Sequence, residues 1–324
     1  MDRWKDIRAI TDAGLEMLRP GIHLNGKWTG RHIVVKSLLG QGANGQVYSI
    51  LLDGQPGAMK VAESAGDVAF EWHLLTKLQS PQSAFPQPLC IDDALWDGRT
   101  IYFYVMERID GQPLSFVFVQ FTPLRQREVL QEILLGLKSL HHSGHAFIDI
   151  KPENIMIAKG NGRRVRFVDV GGIRPFHQSV RQFTPLSDRA YWGYGTRESG
   201  VTYDVAAVAL MMTQLLVPCP KDMAGLPVVA RKQWMTRAIA RISDAALRSE
   251  VADALSGQLT TTDEWIQRIA HRPPSLKVSR TQHRRAKRKR TVGDWTERVM
   301  WVSIACAATM IVVAWGTLLQ WFTW

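Results

Sequence analysis

Cysteine is scarce: Cys90, Cys219 and Cys306 lie far apart, and the last sits inside an apolar run. That excludes a disulfide framework and a CxxC metal site, and a reducing cytoplasmic setting for the globular part is the expectation. Acidic residues are missing from Arg280 to Arg290, a stretch that holds seven Lys or Arg. Setting those seven aside brings the formal charge from +11 to about +4, so the basicity belongs to a segment and not to the body of the chain. Charge of either sign is missing from Val299 to Trp324. The N-terminal MDRWKDIRAITDAGLEMLRP has charges scattered among its apolar residues and lacks the uninterrupted apolar core of a secretory signal. There is no internal repeat, and 46% hydrophobic residues are too many for a disordered chain and ample for a packed core.

The uncharged run VMWVSIACAATMIVVAWGTLLQWFTW exceeds the roughly 20 residues that cross a bilayer as a helix. Residues 299–320 are therefore expected to form a transmembrane helix, the alternative being a buried helix of the globular part, which seldom runs so long without a polar face. Trp301, Trp321 and Trp324 fall near its ends, where indole rings favour the interface. Arg284, Arg285, Lys287, Arg288, Lys289, Arg290 and Arg298 precede the run and nothing basic follows it, so the positive-inside bias places the preceding domain in the cytoplasm. Residues 273–298 open on Pro273 and Pro274 and have too little apolar content to fold by burial, which marks a basic juxtamembrane linker. Its charge suits three roles: contact with anionic lipid, nonspecific and salt-sensitive contact with DNA, or orientation in the membrane alone.

Chemistry enters in four elements. GQGANGQV, from Gly40 to Val47, fits G-x-G-x-x-G-x-V, in which glycines let a hairpin backbone approach phosphates. Glycine triplets also open Rossmann helices, but here QVYSILL continues as a strand. AMKV follows at hairpin distance and carries Lys60, which suits nucleotide phosphates or, alternatively, a solvated strand position. Glu71, in the helical stretch AFEWHLLTKL, is the expected partner of Lys60, with Glu63 as the fallback.

LHHSGHAFIDIKPENI, from Leu140 to Ile155, resembles the catalytic loop of Hanks-type (eukaryotic-like) bacterial Ser/Thr protein kinases, with the D-x-K-P-E-N core intact, and VRFVDVG resembles their D-F-G element. The resemblance implies that Asp149 accepts the substrate hydroxyl proton, Lys151 steadies the transferring phosphoryl group, and Asn154 and Asp169 bind Mg2+ or Mn2+. It also implies that Gly40, Gln41, Gly42, Ala43, Asn44, Gly45, Val47, Ala58, Lys60, Glu71 and Glu107 bind ATP. Lys151, two places after Asp149, matches the Ser/Thr-directed pattern. Phe147 and Ile148 stand where the family has His-Arg, so no arginine there can pair with an activation-loop phosphate. Phe147, Val170 and Leu75 are expected to stack in the family's hydrophobic spine.

The expected fold is α+β and bilobal: an N-lobe antiparallel sheet plus one helix over 31–107 and a mostly helical C-lobe over 108–272, preceded by an extension, 1–30, and followed by the transmembrane helix. Thr184, Ser187 and Thr196 lie in the activation segment, either as autophosphorylation sites or as solvated hydroxyls. Asp204 is the expected anchor at the start of a hydrophobic central helix, and the short stretch from there to Arg272 suggests that the substrate-docking helices are reduced. The layout of kinase domain, basic stretch and terminal anchor is similar to that of YabT-type kinases of spore-forming bacilli, which implies a link to sporulation. The expected activity is transfer of the ATP γ-phosphate to protein hydroxyls. Self-association would support autophosphorylation, and DNA or anionic lipid on the linker would regulate it. Two other readings are a small-molecule phosphotransferase of the same fold and a pseudokinase acting as a membrane-bound DNA or protein tether.

Overall fold

The computed structural model describes residues 18–42, 45–81, 83–160, 165–181 and 184–271. Among these no helix is long and apolar enough to cross a membrane. The expected span at 299–320 and the basic linker with Arg284, Arg285, Lys287, Arg288, Lys289 and Arg290 lie outside the described residues.

Alternating apolar residues produce a six-stranded antiparallel sheet. Its strands are β1 (His23–Asn25), β2 (His32–Gly42), β3 (Gly45–Leu52), β4 (Gln55–Ala62), β5 (Pro88–Trp96) and β6 (Arg99–Met106), in the order β1-β2-β3-β4-β6-β5. The sheet starts before residue 31, because β1 pairs with β2, His23 opposite Val34. Asp92 fastens this added edge by accepting from the Trp28 and Thr29 amides and the Thr29 hydroxyl. One sheet face buries Ile33, Val35, Tyr48, Ile50, Met59, Val61 and Phe103 in a core of its own. The other receives α1 (Ala65–Lys77), which Ser64 caps by accepting the Asp67 amide; α1 buries Val68, Glu71, Leu74 and Leu75.

Beyond β6 the chain turns helical. β7 (Gly111–Pro113) leads into the short α2 (Leu114–Val117) and then α3 (Pro123–His142), a 20-residue helix with Pro123 in its first turn and Thr122 as its cap. β8 (His145–Ala146), β9 (Ile155–Ala158), β10 (Val165–Phe167) and β11 (Arg174–Pro175) make two small sheets, β10-β9-β7 and β11-β8, which frame the D-x-K-P-E-N loop. α4 (Val201–Leu216) buries every residue from Tyr203 to Thr213, so it carries an all-round apolar surface and forms the axis of the second core. Among the described residues after α4 the chain forms α5 (Val228–Ala240), α6 (Ala245–Ser256) and α7 (Thr262–His271), of 13, 12 and 10 residues. Leu75, Phe147 and Val170 all belong to the core that runs from α1 to α4.

Candidate active site

The glycine-rich segment is the turn of the β2–β3 hairpin. Gly40 pairs with Val47, Gln41 with Gln46 and Gly42 with Gly45, while Ala43 and Asn44 lie outside the described residues. Gly45 is obligatory: its φ is +118°, and a Cβ there would stand 2.2 Å from the Val61 carbonyl oxygen. A Cβ on Gly40 or Gly42 would meet nothing within 4 Å, so these two leave open space over the hairpin.

Across β3, β4 and β6, Val47, Lys60 and Tyr104 are directly opposite one another and share a face, as do Ala58 and Met106. Lys60, 3% exposed, donates to Glu71 at 2.9 Å and to Asp169 at 3.0 Å. Glu71 also accepts from the Tyr104 hydroxyl at 2.8 Å, whereas Glu63 is exposed, so the structure selects Glu71 as the partner of Lys60. Burial opposes the charge on Lys60, but Asp169 and Glu71 together raise its pKa above the usual lysine value and keep it cationic. Burial also works against the Asp169 carboxylate, yet the Lys60 charge and the Gly171 amide hold it below the usual range.

Asp149 sits at the end of a tight bend. Its amide donates to the Phe147 carbonyl, and the intervening Ile148 has φ +69°, a strained conformation for a β-branched residue. Asp204, fully buried at the start of α4, stabilises that bend by accepting the Phe147 amide at 2.6 Å and the Ile148 amide at 2.9 Å. His141 Nε2 donates to the same carboxylate at 2.9 Å. The expected anchoring role of Asp204 thus has a definite object, the backbone immediately before Asp149.

The Asp149 carboxylate gathers three donors: Lys151 Nζ at 2.6 Å, Asn154 Nδ2 at 3.1 Å and Thr184 Oγ1 at 2.9 Å. Asn154 Nδ2 also donates to the Asp149 carbonyl, so its Oδ1 is the side-chain atom that could serve as a ligand. The Val168 amide donates to the Asn154 carbonyl, so Asn154 and Asp169 are brought side by side. Gly172 packs against the same loop, where a Cβ would come within 2.9 Å of Asp149 Cβ. Two oxygen donors, the Asn154 amide and the part-exposed Asp169 carboxylate, suit a hard divalent cation that keeps waters and takes phosphate oxygens, such as Mg2+.

The Glu107 side chain has a structural partner. The Glu107 carboxylate, just past the end of β6, pairs with Arg166 on β10 at 2.6 Å, and the Glu107 amide donates to the Gln87 carbonyl, so any contact of Glu107 with a nucleotide would be made by its carbonyl. Of the three hydroxyls flagged in the activation segment, Thr184 is bound to Asp149, Ser187 is buried, and Thr196 is exposed. Tyr104, His141, Gly172 and the bond from Thr184 were not legible as site features; only the G-G repeat at 171–172 hints at close backbone packing.

The chain matches the family model described as a protein kinase domain over residues 33–221, more than half its length. It is 35% identical over 200 residues to the serine/threonine-protein kinase YabT of Bacillus subtilis, which covers 60% of this chain and 59% of that one. A probable serine/threonine-protein kinase, PknB of Corynebacterium glutamicum, is 33% identical over 94 residues, 28% of this chain and 14% of that one. The matched region thus spans less than two thirds of either relative. Among solved structures, that of vaccinia related kinase 3 superposes with a TM-score of 0.57 and 15% identity, covering 82% of this chain and 94% of that one, which speaks to the fold alone.

Proposed function

This chain belongs to the protein kinase family, and from that premise we propose that it transfers the γ-phosphate of ATP to serine or threonine hydroxyls of proteins. The observation that carries the reading is the single linked constellation of Glu71, Lys60, Asp169, Asn154 and Asp149, supplied by four separate stretches of the chain. Lys60 is held cationic and aimed by two carboxylates, as a ligand for phosphate oxygens must be. Mg2+, bound through Asn154 and Asp169, would neutralise charge on the phosphates. Asp149, fixed by Lys151, Asn154 and Thr184, is placed to accept the proton of the acceptor hydroxyl. That oxygen forms a bond to the γ-phosphorus while the bond from the γ-phosphorus to the bridging oxygen breaks and ADP leaves. Val47 and Ala58, on the Lys60 face of the sheet, offer an apolar surface suited to the nucleotide base. The names of the relatives, both serine/threonine kinases, support the choice of acceptor.

The uncharged run at 299–320 would anchor the domain on the cytoplasmic side of a membrane, and the basic linker would gather molecules on DNA or anionic lipid so that neighbours phosphorylate one another. The test is incubation of the full chain with radiolabelled ATP, Mg2+ and a generic basic protein, beside Asp149→Asn, with and without DNA or anionic vesicles. Label on protein that disappears in the variant supports the enzyme, and transfer confined to small molecules defeats it. Stimulation lost on neutralising Arg284 to Arg290 supports the role of the linker, and unchanged stimulation removes it.

A further inference from the structure

The glycine hairpin is fastened from the sheet face opposite to Lys60. Gln46 follows Gly45 directly, and because strand neighbours alternate it faces away from Val47 and Lys60, sharing its face with Val61 opposite and with Tyr48. Its side chain is buried there. The Tyr48 hydroxyl, fully enclosed, donates to Gln46 Oε1 and accepts the Leu18 amide at 3.0 Å. Leu18 and Leu24 belong to the same core, and the chain between them is stitched to β2, the Gly21 amide donating to the Val35 carbonyl and the Val35 amide to the Ile22 carbonyl. All of these N-terminal residues precede the region matched to the kinase family, which begins at residue 33. A single phenol oxygen thus joins the added segment to the hairpin.

Resting on the kinase reading above, we propose that Tyr48 and Gln46 are positioning residues for the phosphate-binding hairpin, and that the segment before β1 holds them to that task through the Leu18 amide. Removing the Tyr48 hydroxyl takes a donor from Gln46 Oε1 in a buried place, a cost that is relieved when the side chain turns out to water. Gly45 and Val47, the covalent neighbours of Gln46, then move with it. Gly45 lies against the Val61 carbonyl, so the movement is away from the sheet. The hairpin backbone loses its close approach to the phosphates, while Asp149, Lys151 and Asn154 keep the bonds that fix them to one another. The link therefore acts on ATP affinity and leaves the transfer step alone.

The experiment measures kcat and KM for ATP of the full chain on a generic basic protein, and amide hydrogen exchange at Gly45, Gln46 and Val47 without nucleotide. Tyr48→Phe keeps the ring and loses the hydroxyl; it should raise KM for ATP about fivefold, as one lost hydrogen bond would, leave kcat within about twofold, and speed exchange at all three amides. Adding Gln46→Met removes the unpaired oxygen and keeps the length of the side chain, and should bring KM back to within about twofold of wild type. Ile101→Val trims the same core without touching the link, and should lower the melting temperature with KM unmoved. Leu18→Gly loosens the segment with Tyr48 and Gln46 intact, and should raise KM in the same direction as Tyr48→Phe. An unchanged KM in Tyr48→Phe, or an equal rise in Ile101→Val, overturns the positioning role, and an unchanged KM in Leu18→Gly removes the segment from it. Absence of label transfer by wild type overturns the kinase reading instead, and hydrogen exchange, which needs no turnover, then still decides whether Tyr48 holds the hairpin.

Discussion

Thr184 Oγ1 donates a 2.9 Å hydrogen bond to Asp149 Oδ1 across 35 residues of chain. Two of the three donors to that carboxylate, Lys151 and Asn154, come from its own loop, and Thr184 is the one that comes from the activation segment. The bond therefore couples the conformation of the segment to the orientation of the proposed base. Thr184→Ala should lower kcat by about fivefold with little change in KM for ATP, since one hydrogen bond of roughly 1 kcal/mol is lost from a positioned group. Thr184→Ser should recover most of it. Steady-state kinetics on a peptide acceptor decide the matter, and a purely raised KM for ATP in Thr184→Ala would count against the coupling.

Lys60 is buried between Glu71 and Asp169. Lys60→Met removes the one cation among two carboxylates, so the cost is that of a broken buried ion pair, roughly 3–5 kcal/mol, besides loss of phosphotransfer. Urea unfolding measures the first and label transfer the second. A variant as stable as wild type would show that water reaches Glu71 and Asp169 freely.

Asp204 holds the strained backbone at Ile148. Asp204→Ala leaves the Phe147 and Ile148 amides and His141 without their acceptor in a fully buried place, and should destabilise the chain by about 3 kcal/mol or more. Asp204→Asn keeps one acceptor oxygen and should cost less. Thermal unfolding of the two variants gives the ranking, and the reverse order would contradict the anchoring role.

Asp92 ties the turn between β1 and β2 to β5. Burial would raise its pKa, but the Thr29 hydroxyl and the Trp28, Thr29 and Asp93 amides outweigh burial and lower it. A carboxylate whose folded pKa lies below its unfolded one contributes stability above the unfolded value, about 3.9, and loses it as pH falls through the folded value. Wild type should therefore lose stability on acidification below about pH 4 more steeply than Asp92→Asn. Melting temperatures between about pH 2.5 and 7 test this, and parallel curves would assign the acid sensitivity to other groups.

Chelation of divalent cations should abolish transfer, and Mg2+ or Mn2+ should restore it. Asp169→Asn should raise the Mg2+ needed for half-maximal rate by at least tenfold, because a ligand charge is removed while the amide keeps the shape. An unchanged Mg2+ dependence would move the cation site elsewhere.

The local signals were in the sequence. The glycine spacing, Lys60 on a strand, D-x-K-P-E-N and the D-V-G triplet are short-range patterns, and each fixes backbone type and chemistry within a few residues. Strands before helices and the apolar run of α4 were equally legible, because hydrophobic periodicity is local. What only the tertiary structure decided were choices among groups of the same chemistry. Glu71 and not Glu63 reaches Lys60, because α1 turns Glu71 inward beside Tyr104. The Glu107 carboxylate pairs with Arg166, since β10 passes within reach. Thr184 points at Asp149, and His141 joins Asp204, through contacts 35 and 63 residues apart in the chain. A sequence states which side chains can donate, accept or carry charge. Which of them meet depends on the packing of distant elements, and packing is settled only when the whole core closes.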